Sequence, residues 1–388
     1  MYRLIRPLLF RLDPETAHAL TLDFLRFTGA LSPLNWAISQ FFNAPEKPVH
    51  AFGLTFRNPV GLAAGYDKDA VAVRGLAALG FGHIEVGTIT PRPQEGNPRP
   101  RIFRLVEDQA VINRMGFPGR GAEYVAMSLR GAQRRHLHPV RAGSPPGRDG
   151  LPHTCPGGQR RGKCRGVQVS NPRAGEEIAS PASQARNDTK VVIGVNLGKN
   201  NDTPLENAAD DYLSLMRTFA SLADYLAINV SSPNTVGLRR LQGREMLEKL
   251  LGQIAVERGA WSVKRPILVK LAPDLSDEEL DDAIDAILHT GMDGVIATNT
   301  TLGREGLRSK HREESGGLSG IPLRVRSEAV LREVVKRVAG RIPVISVGGV
   351  MSPEDAKRRL DIGAALVQVY TSLVYAGPGL VQKIIRAV

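Results

Sequence analysis

The segment INVSSPNTV sets Asn229, Ser231, Ser232, Asn234 and Thr235 directly after a short apolar run. A carboxamide presents a donor and an acceptor side by side, so asparagines suit a flat ring bearing adjacent C=O and N–H groups. The same residue types close other apolar runs: Thr88, Asn113, Asn196, Thr298, Asn299 and Thr300, with Lys68 and Lys270 as cations. Singly, a strand-end Asn is a turn former and a strand Lys can snorkel. Gathered at one mouth, they read as a binding site. No Asp, Glu or His stands out as a general base, so Ser232 is the expected acceptor of a carbon-bound proton. Its hydroxyl is a poor base in water and needs solvent excluded and a proton relay, which makes residues 231–237 read as a lid.

Glycines mark where a flat ring and a phosphate would sit. In GLAAGYDK, Ala64 and Gly65 allow close approach and Lys68 supplies charge. Gly348 and Gly349 offer backbone N–H groups, Thr371 and Ser372 offer hydroxyls, and Gly320 of GGLSG brings in a third segment. One phosphate cradle, with no adenine or pyrophosphate motif, favours FMN over FAD or NAD. Lys270 then faces the negative charge that develops around N1 and the C2 carbonyl of a reduced flavin.

The elements that must carry these groups are eight apolar runs, at 60–64, 83–86, 191–196, 225–229, 267–271, 294–298, 344–347 and 365–370. Runs without alternation belong to strands covered on both faces, and helical patterns separate them. Helix starts are expected at Thr203 with Pro204 and Glu206, at Ser276 with Glu279, and at Ser352 with Pro353. A doubly wound open sheet is the alternative, but no GxGxxG fingerprint with an acidic ribose binder is present. Polar residues at nearly every strand end predict a (β/α)8 TIM barrel with its site at the C-terminal mouth.

Two segments stand outside this rhythm. Residues 131–190, rich in Gly, Pro and Arg, hold eleven Lys and Arg against four Asp and Glu, much of the chain's net charge of +12. They read as a disordered surface insertion without chemistry, so the charge does not point to nucleic acid. Cys155 and Cys164 within it have the wrong spacing for a compact zinc knuckle, and no metal is expected. Residues 1–45 form the other segment. Asp13 caps a run of Ala17, Leu20, Phe24 and Phe27 that Gly29 should stop, and a second apolar stretch follows through Phe42. Ahead of them residues 1–12, interrupted by Arg3, Arg6 and Arg11, are too short to span a bilayer and lack a signal peptide's h-region. With arginines at one edge, the two apolar helices could lie in a membrane surface, or cap the bottom of the barrel.

In order along the chain, GLAAGYDKD, EVGTITPRPQEGNPRPRIFRL, INRMGF, GVNLGKN, INVSSPNTVGLRRLQ, VKLAPDL, VIATNTT, GGLSG, VGGV and VQVYTSLVY resemble the dihydroorotate dehydrogenase family, specifically its membrane-associated, quinone-reducing class 2. The N-terminal LFRLDPETAHALTLDFLR also looks like that class, and Ser232 stands where soluble class 1 members generally carry cysteine. The resemblance implies oxidation of (S)-dihydroorotate to orotate in pyrimidine synthesis, one FMN per chain, and a barrel over residues 46–388. Ser232 matches the family's base. Lys68, Asn113, Asn229, Asn234, Asn299 and Thr300 match residues that hold the substrate. Ala64, Gly65, Thr88, Asn196, Asn229, Lys270, Thr298, Gly320, Gly349, Tyr370 and Thr371 match flavin contacts. His18, Arg104 and Tyr370 match polar residues near a quinone tunnel. The expectation is a monomer, peripheral on the cytoplasmic side of a bacterial inner membrane. Other FMN barrels acting on cyclic amides, a class 1 enzyme using fumarate or NAD, and a non-enzymatic membrane-binding or RNA-binding barrel are the competing readings.

Overall fold

The computed structural model describes residues 2–136 and 191–388. Eight parallel strands close into a barrel: Val60–Leu62, His83–Ile89, Val192–Leu197, Tyr225–Asn229, Ile267–Leu271, Gly294–Ala297, Val344–Val347 and Leu366–Val369. These are the eight apolar runs of the sequence. Each neighbours the next and the last pairs with the first, so all eight C-terminal ends meet at one mouth. The main core lies between strands and outer helices, and a smaller one fills the barrel. Inside it, Gly61 and Gly194 have no room for a side chain. A Cβ at either position would fall within about 2.1 Å of the His83 or Tyr225 ring.

The bottom is closed by a hairpin absent from the sequence expectation, Val49–Ala51 with Leu54–Phe56. Phe52 and Gly53 form its two-residue turn, both at positive φ, the geometry that matches strand twist. Phe56 is fully buried and meets the His83 ring edge-on at 5.4 Å. The N-terminal helices therefore do not cap the bottom. Tyr2–Arg11, Pro14–Ala30 and Ser32–Phe41 pack on the side of the first and last βα units. The Tyr2 hydroxyl donates to Val374 O at 2.6 Å, and Arg6 donates to Tyr375 O at 3.0 Å.

Asp13 caps its helix as expected, accepting from Glu15 and Thr16 N–H. Gly29 does not end that helix, which runs through Ala30. It is instead a contact point: a Cβ on Gly29 would lie 2.7 Å from Gly75 N, and one on Gly75 would lie 2.1 Å from Leu25 O. Gly75 belongs to the helix Val73–Ala77, so two glycines let these helix backbones touch. Ser276 and Glu279 form the expected capping box, and Ser352 caps through Asp355 N–H. Thr203 does not cap. Its hydroxyl donates to Asp211 at 2.8 Å, while the helix begins at Ala208 after a single 3-10 turn, Leu205–Asn207. The helix Gly121–His136 takes in the first six residues of the 131–190 segment, and the rest of that segment lies outside the described residues.

A three-stranded antiparallel sheet also escaped the sequence reading: Ile102–Leu105, Ala110–Asn113 and Gly317–Gly320. Gly317 pairs with Asn113 and Gly320 with Ala110, which carries Asn113 and Gly320 to the mouth. Among the described residues, no helix is long and apolar enough to cross a membrane.

Candidate active site

One carboxylate underlies the mouth. Glu85, in the second barrel strand, is fully buried and accepts hydrogen bonds from four other strands. Lys270 Nζ at 3.1 Å and Asn196 Nδ2 at 2.8 Å meet its Oε1; the Tyr225 hydroxyl at 3.1 Å and Gln368 Nε2 at 2.9 Å meet its Oε2. Burial alone would raise the pKa of this acid. The Lys270 charge and the donated hydrogen bonds outweigh burial and hold the carboxyl below its usual range.

The next layer is neutral. Thr88 Oγ1 donates to Asn196 Oδ1 at 2.6 Å, and Asn229 Nδ2 donates to both Thr88 Oγ1 at 3.0 Å and Asn196 Oδ1 at 3.1 Å. Asn229 Oδ1 in turn accepts the Ser231 N–H at 3.2 Å, the Ser231 hydroxyl at 3.1 Å and Asn299 Nδ2 at 3.3 Å. Asn299 Nδ2 also donates to Ser231 Oγ at 2.9 Å. These bonds separate two adjacent serines: Ser231 is held within the network, whereas Ser232 faces the cavity above it. Ser232 Oγ accepts the Asn234 N–H at 3.2 Å, and Asn234 Nδ2 donates to Asn113 Oδ1 at 3.2 Å. Arg239 ties the ends of this loop down, donating to Ser231 O at 3.1 Å and Thr300 O at 2.8 Å while paired with Asp274 at 2.7 Å. Val236 at the loop's tip is 84% exposed.

These groups line a cavity of about 1270 Å³ that runs from the mouth to the N-terminal helices. Ser232, Lys68, Asn113, Asn229, Asn234, Asn299 and Thr300 all face it. So do Ala64, Gly65, Thr88, Lys270 and Thr298, and beyond them Gly320, Gly349, Tyr370 and Thr371. Asn196 does not: it is fully buried beneath Thr88 and Asn229 and orients both. At the far end lie His18 and Arg104. His18 meets Tyr66 edge-on at 4.8 Å, Tyr66 meets Tyr370 at 5.7 Å, and the Tyr370 hydroxyl donates to Gly65 O at 3.3 Å. Burial, with the Lys68 charge nearby, depresses His18 to about 4, so its imidazole is neutral at pH 7. Arg104 donates to Leu9 O at 3.0 Å and stacks on Phe10 at 4.8 Å.

A family model described as dihydroorotate dehydrogenase matches residues 48–388. The chain belongs to the dihydroorotate dehydrogenase family. Its relatives lie in the quinone-dependent class. Over its full length it is 42% identical to the dihydroorotate dehydrogenase (quinone) of Roseiflexus castenholzii, covering 91% of that protein. It is 41% identical to the Vibrio parahaemolyticus protein of the same name, again over the whole chain and 99% of the relative. A crystal structure of the Eimeria tenella family member in complex with ferulenol superposes with a TM-score of 0.77 at 35% identity, covering 98% of this chain and 93% of that one.

Three site residues escaped the sequence reading: Glu85, Tyr225 and Gln368. They are polar residues inside otherwise apolar, doubly covered strands, which is itself a signal that they must satisfy one another. Thr235 lies three residues beyond Ser232, and its buried hydroxyl has no protein partner.

Proposed function

We propose that this chain oxidises (S)-dihydroorotate to orotate and passes the electrons through bound FMN to a membrane quinone. The observation that carries the reading is the coincidence, in one cavity, of a buried serine hydroxyl, a carboxamide cluster and a lysine pair, continuous with an apolar port.

The residues fit a phosphate-tethered flat ring. Ser372 lines the cavity with a buried hydroxyl that has no protein partner. Gly349 and Gly320 sit at φ of 69° and 95°, where a Cβ would lie 2.4 Å from Arg324 Cα and 2.3 Å from Gln109 O respectively. Gly320, Gly349, Thr371 and Ser372 would hold the phosphate, with Ala64, Gly65, Thr88, Asn229, Lys270 and Thr298 around the ring and Asn196 supporting it from below. FMN bound there would take up the substrate's C6 hydride.

Ser232 removes the C5 proton. The Asn234 N–H bonded to its Oγ favours the developing alkoxide, and the closed loop keeps water from solvating it. As the C5 proton arrives, the serine hydroxyl's own proton passes on through a relay, which the buried Thr235 hydroxyl, without a protein partner, would join through an intervening water. Asn113, Asn229, Asn234, Asn299 and Thr300 match the ring's amide edges, and Lys68 pairs with the carboxylate. The N-terminal helices present Leu4, Trp36 and Phe41 to solvent at 79%, 65% and 63% exposure, a surface suited to a bilayer headgroup region from which quinone enters toward His18, Arg104 and Tyr370. This supports peripheral membrane attachment.

The test is anaerobic. Purified protein should be yellow, bleach on addition of dihydroorotate, and recover its colour with a long-chain quinone much faster than with fumarate or NAD. Folded protein that stays colourless after FMN is supplied would end the reading, and equal recovery with fumarate would remove the quinone.

Lys68 gives a pH signature. Burial draws its ammonium down to about 8, against the opposing pull of Glu15 and Asp69. Below that value the charge that meets the substrate carboxylate is present; above it the charge is lost. Orotate affinity, read from the flavin spectrum, should therefore weaken as pH rises through about 8, by up to tenfold per unit, and Lys68→Met should be weak and pH-independent. A flat wild-type profile from pH 7 to 9.5 would show that Lys68 does not hold the carboxylate.

A further inference from the structure

Behind the two glycine turns lies an arginine that substrate and cofactor cannot touch. Arg359, on the helix Pro353–Ile362, is fully buried. Its guanidinium donates to Arg324 O at 2.8 Å, Ser327 Oγ at 2.9 Å, Gly348 O at 3.2 Å and Ser346 Oγ at 3.3 Å. Ser346 and Gly348 belong to the end of the seventh barrel strand, while Arg324 and Ser327 belong to the helix Arg324–Val338 that follows Gly320. Ser327 Oγ itself donates to Gly348 O at 2.7 Å. One planar fork therefore fastens together the two segments whose turns, Gly320 and Gly348–Gly349, face the cavity.

We infer that Arg359 is a positioning residue for phosphate recognition, acting through the peptide between Gly348 and Gly349. That peptide is trans, so its C=O and its N–H point in opposite directions. Arg359 and Ser327 hold the Gly348 carbonyl away from the cavity, which aims the Gly349 N–H into it. Gly349 is packed so closely on Arg324 that no side chain fits between the two segments, and φ values of 105° and 69° are ones that glycine adopts freely, so an external tie is needed to fix the pair. The guanidinium also leaves a buried cation behind the cradle. Glu328 lies 3.7 Å from it and the buried Asp355 carboxylate also opposes its charge, so its field toward a phosphate is partly offset. Its Nε is buried and without a hydrogen-bond partner, as expected where the fork is set by carbonyl and hydroxyl acceptors rather than by a bidentate carboxylate.

The inference rests on the FMN reading, and the experiment separates the two. Full-length protein stripped of flavin is titrated with FMN and with riboflavin, which shares the ring and lacks the phosphate, by quenching of flavin fluorescence. Wild type should prefer FMN strongly; failure to do so would defeat the cofactor reading itself. Arg359→Met keeps an unbranched apolar stem of about the same reach as far as Nε and removes the fork. It should lose at least tenfold in FMN affinity while riboflavin affinity stays within twofold, so that the preference collapses. If FMN and riboflavin weaken equally, or FMN affinity is unchanged, Arg359 has no such role. Should Arg359→Met fail to fold, Ser327→Ala, which removes the shorter bond to Gly348 and one Arg359 acceptor, reads the same ratio: a drop of threefold or more upholds the role, and a wild-type ratio overturns it.

Discussion

Ser232→Ala should retain FMN and lose about 10²–10⁴-fold in the rate of flavin reduction by dihydroorotate at neutral pH, the range a positioned general base contributes. The loss should fall on the chemical step. Ser232 is buried, so removing its hydroxyl leaves a small gap but no stranded charge, and among the described residues Asn234 N–H is the one donor to its oxygen. Dihydroorotate affinity should change by no more than a few-fold, because Lys68, Asn229 and Asn299 are held by bonds that do not pass through Ser232, and Asn234 keeps its side-chain bond to Asn113. Stopped-flow reduction under anaerobic conditions separates the two quantities. The neighbouring hydroxyl cannot substitute: Ser231 is already bonded to Asn229 and Asn299 and does not reach the cavity. A wild-type reduction rate in Ser232→Ala would take the proton transfer away from this serine.

The barrel was legible because of how its strands are covered. Strands buried on both faces must be continuous apolar runs, and eight such runs found their counterparts in the fold. The site was legible because polar residues follow those runs and the barrel brings their ends together. The chain's own regularity hid what lies one layer deeper. Glu85 sits inside HIEVGTI, where it looks like an interruption of a strand, and its partners come from 111 to 283 positions away in sequence. Asn196 was expected against the cofactor because it ends a strand like its neighbours, but the pairing of Glu85 with Gly194 sets it low enough for Glu85 to take its amide. The sheet that carries Asn113 and Gly320 joins strands from residues 102–113 to one near 320, too short and too distant for periodicity to register. Gly29 carried the ordinary signal of a helix end; only the approach of Gly75 shows why a glycine is needed there.

Glu85→Gln should destabilise the folded chain by about 3–5 kcal/mol, the cost of removing one partner from a buried ion pair. The wild-type carboxylate accepts four donors on two oxygens and provides none. An amide of the same shape retains one acceptor oxygen and turns an NH₂ group toward two of those donors, leaving the Lys270 ammonium without its counter-charge. Adding Lys270→Gln to that variant should recover part of the loss, because the stranded cation goes with it, and the shortfall from additivity measures the pair. The sign with pH is fixed by the direction of the shift. Glu85 is held below its ordinary 4.5, so its stabilisation is complete above that pH and disappears as pH falls through the depressed value of the folded state. Denaturant midpoints for wild type and Glu85→Gln should therefore lie far apart at pH 7 and converge toward pH 3. Midpoints that coincide at pH 7 would show that the carboxylate is dispensable to the fold. Midpoints that stay equally far apart down to pH 3 would show that packing, not charge, accounts for the difference. With the ion pair intact, the barrel carries Lys270 at the base of the cavity on a closed hydrogen-bonded layer; without Glu85, the same lysine has four strands around it and no anion to meet.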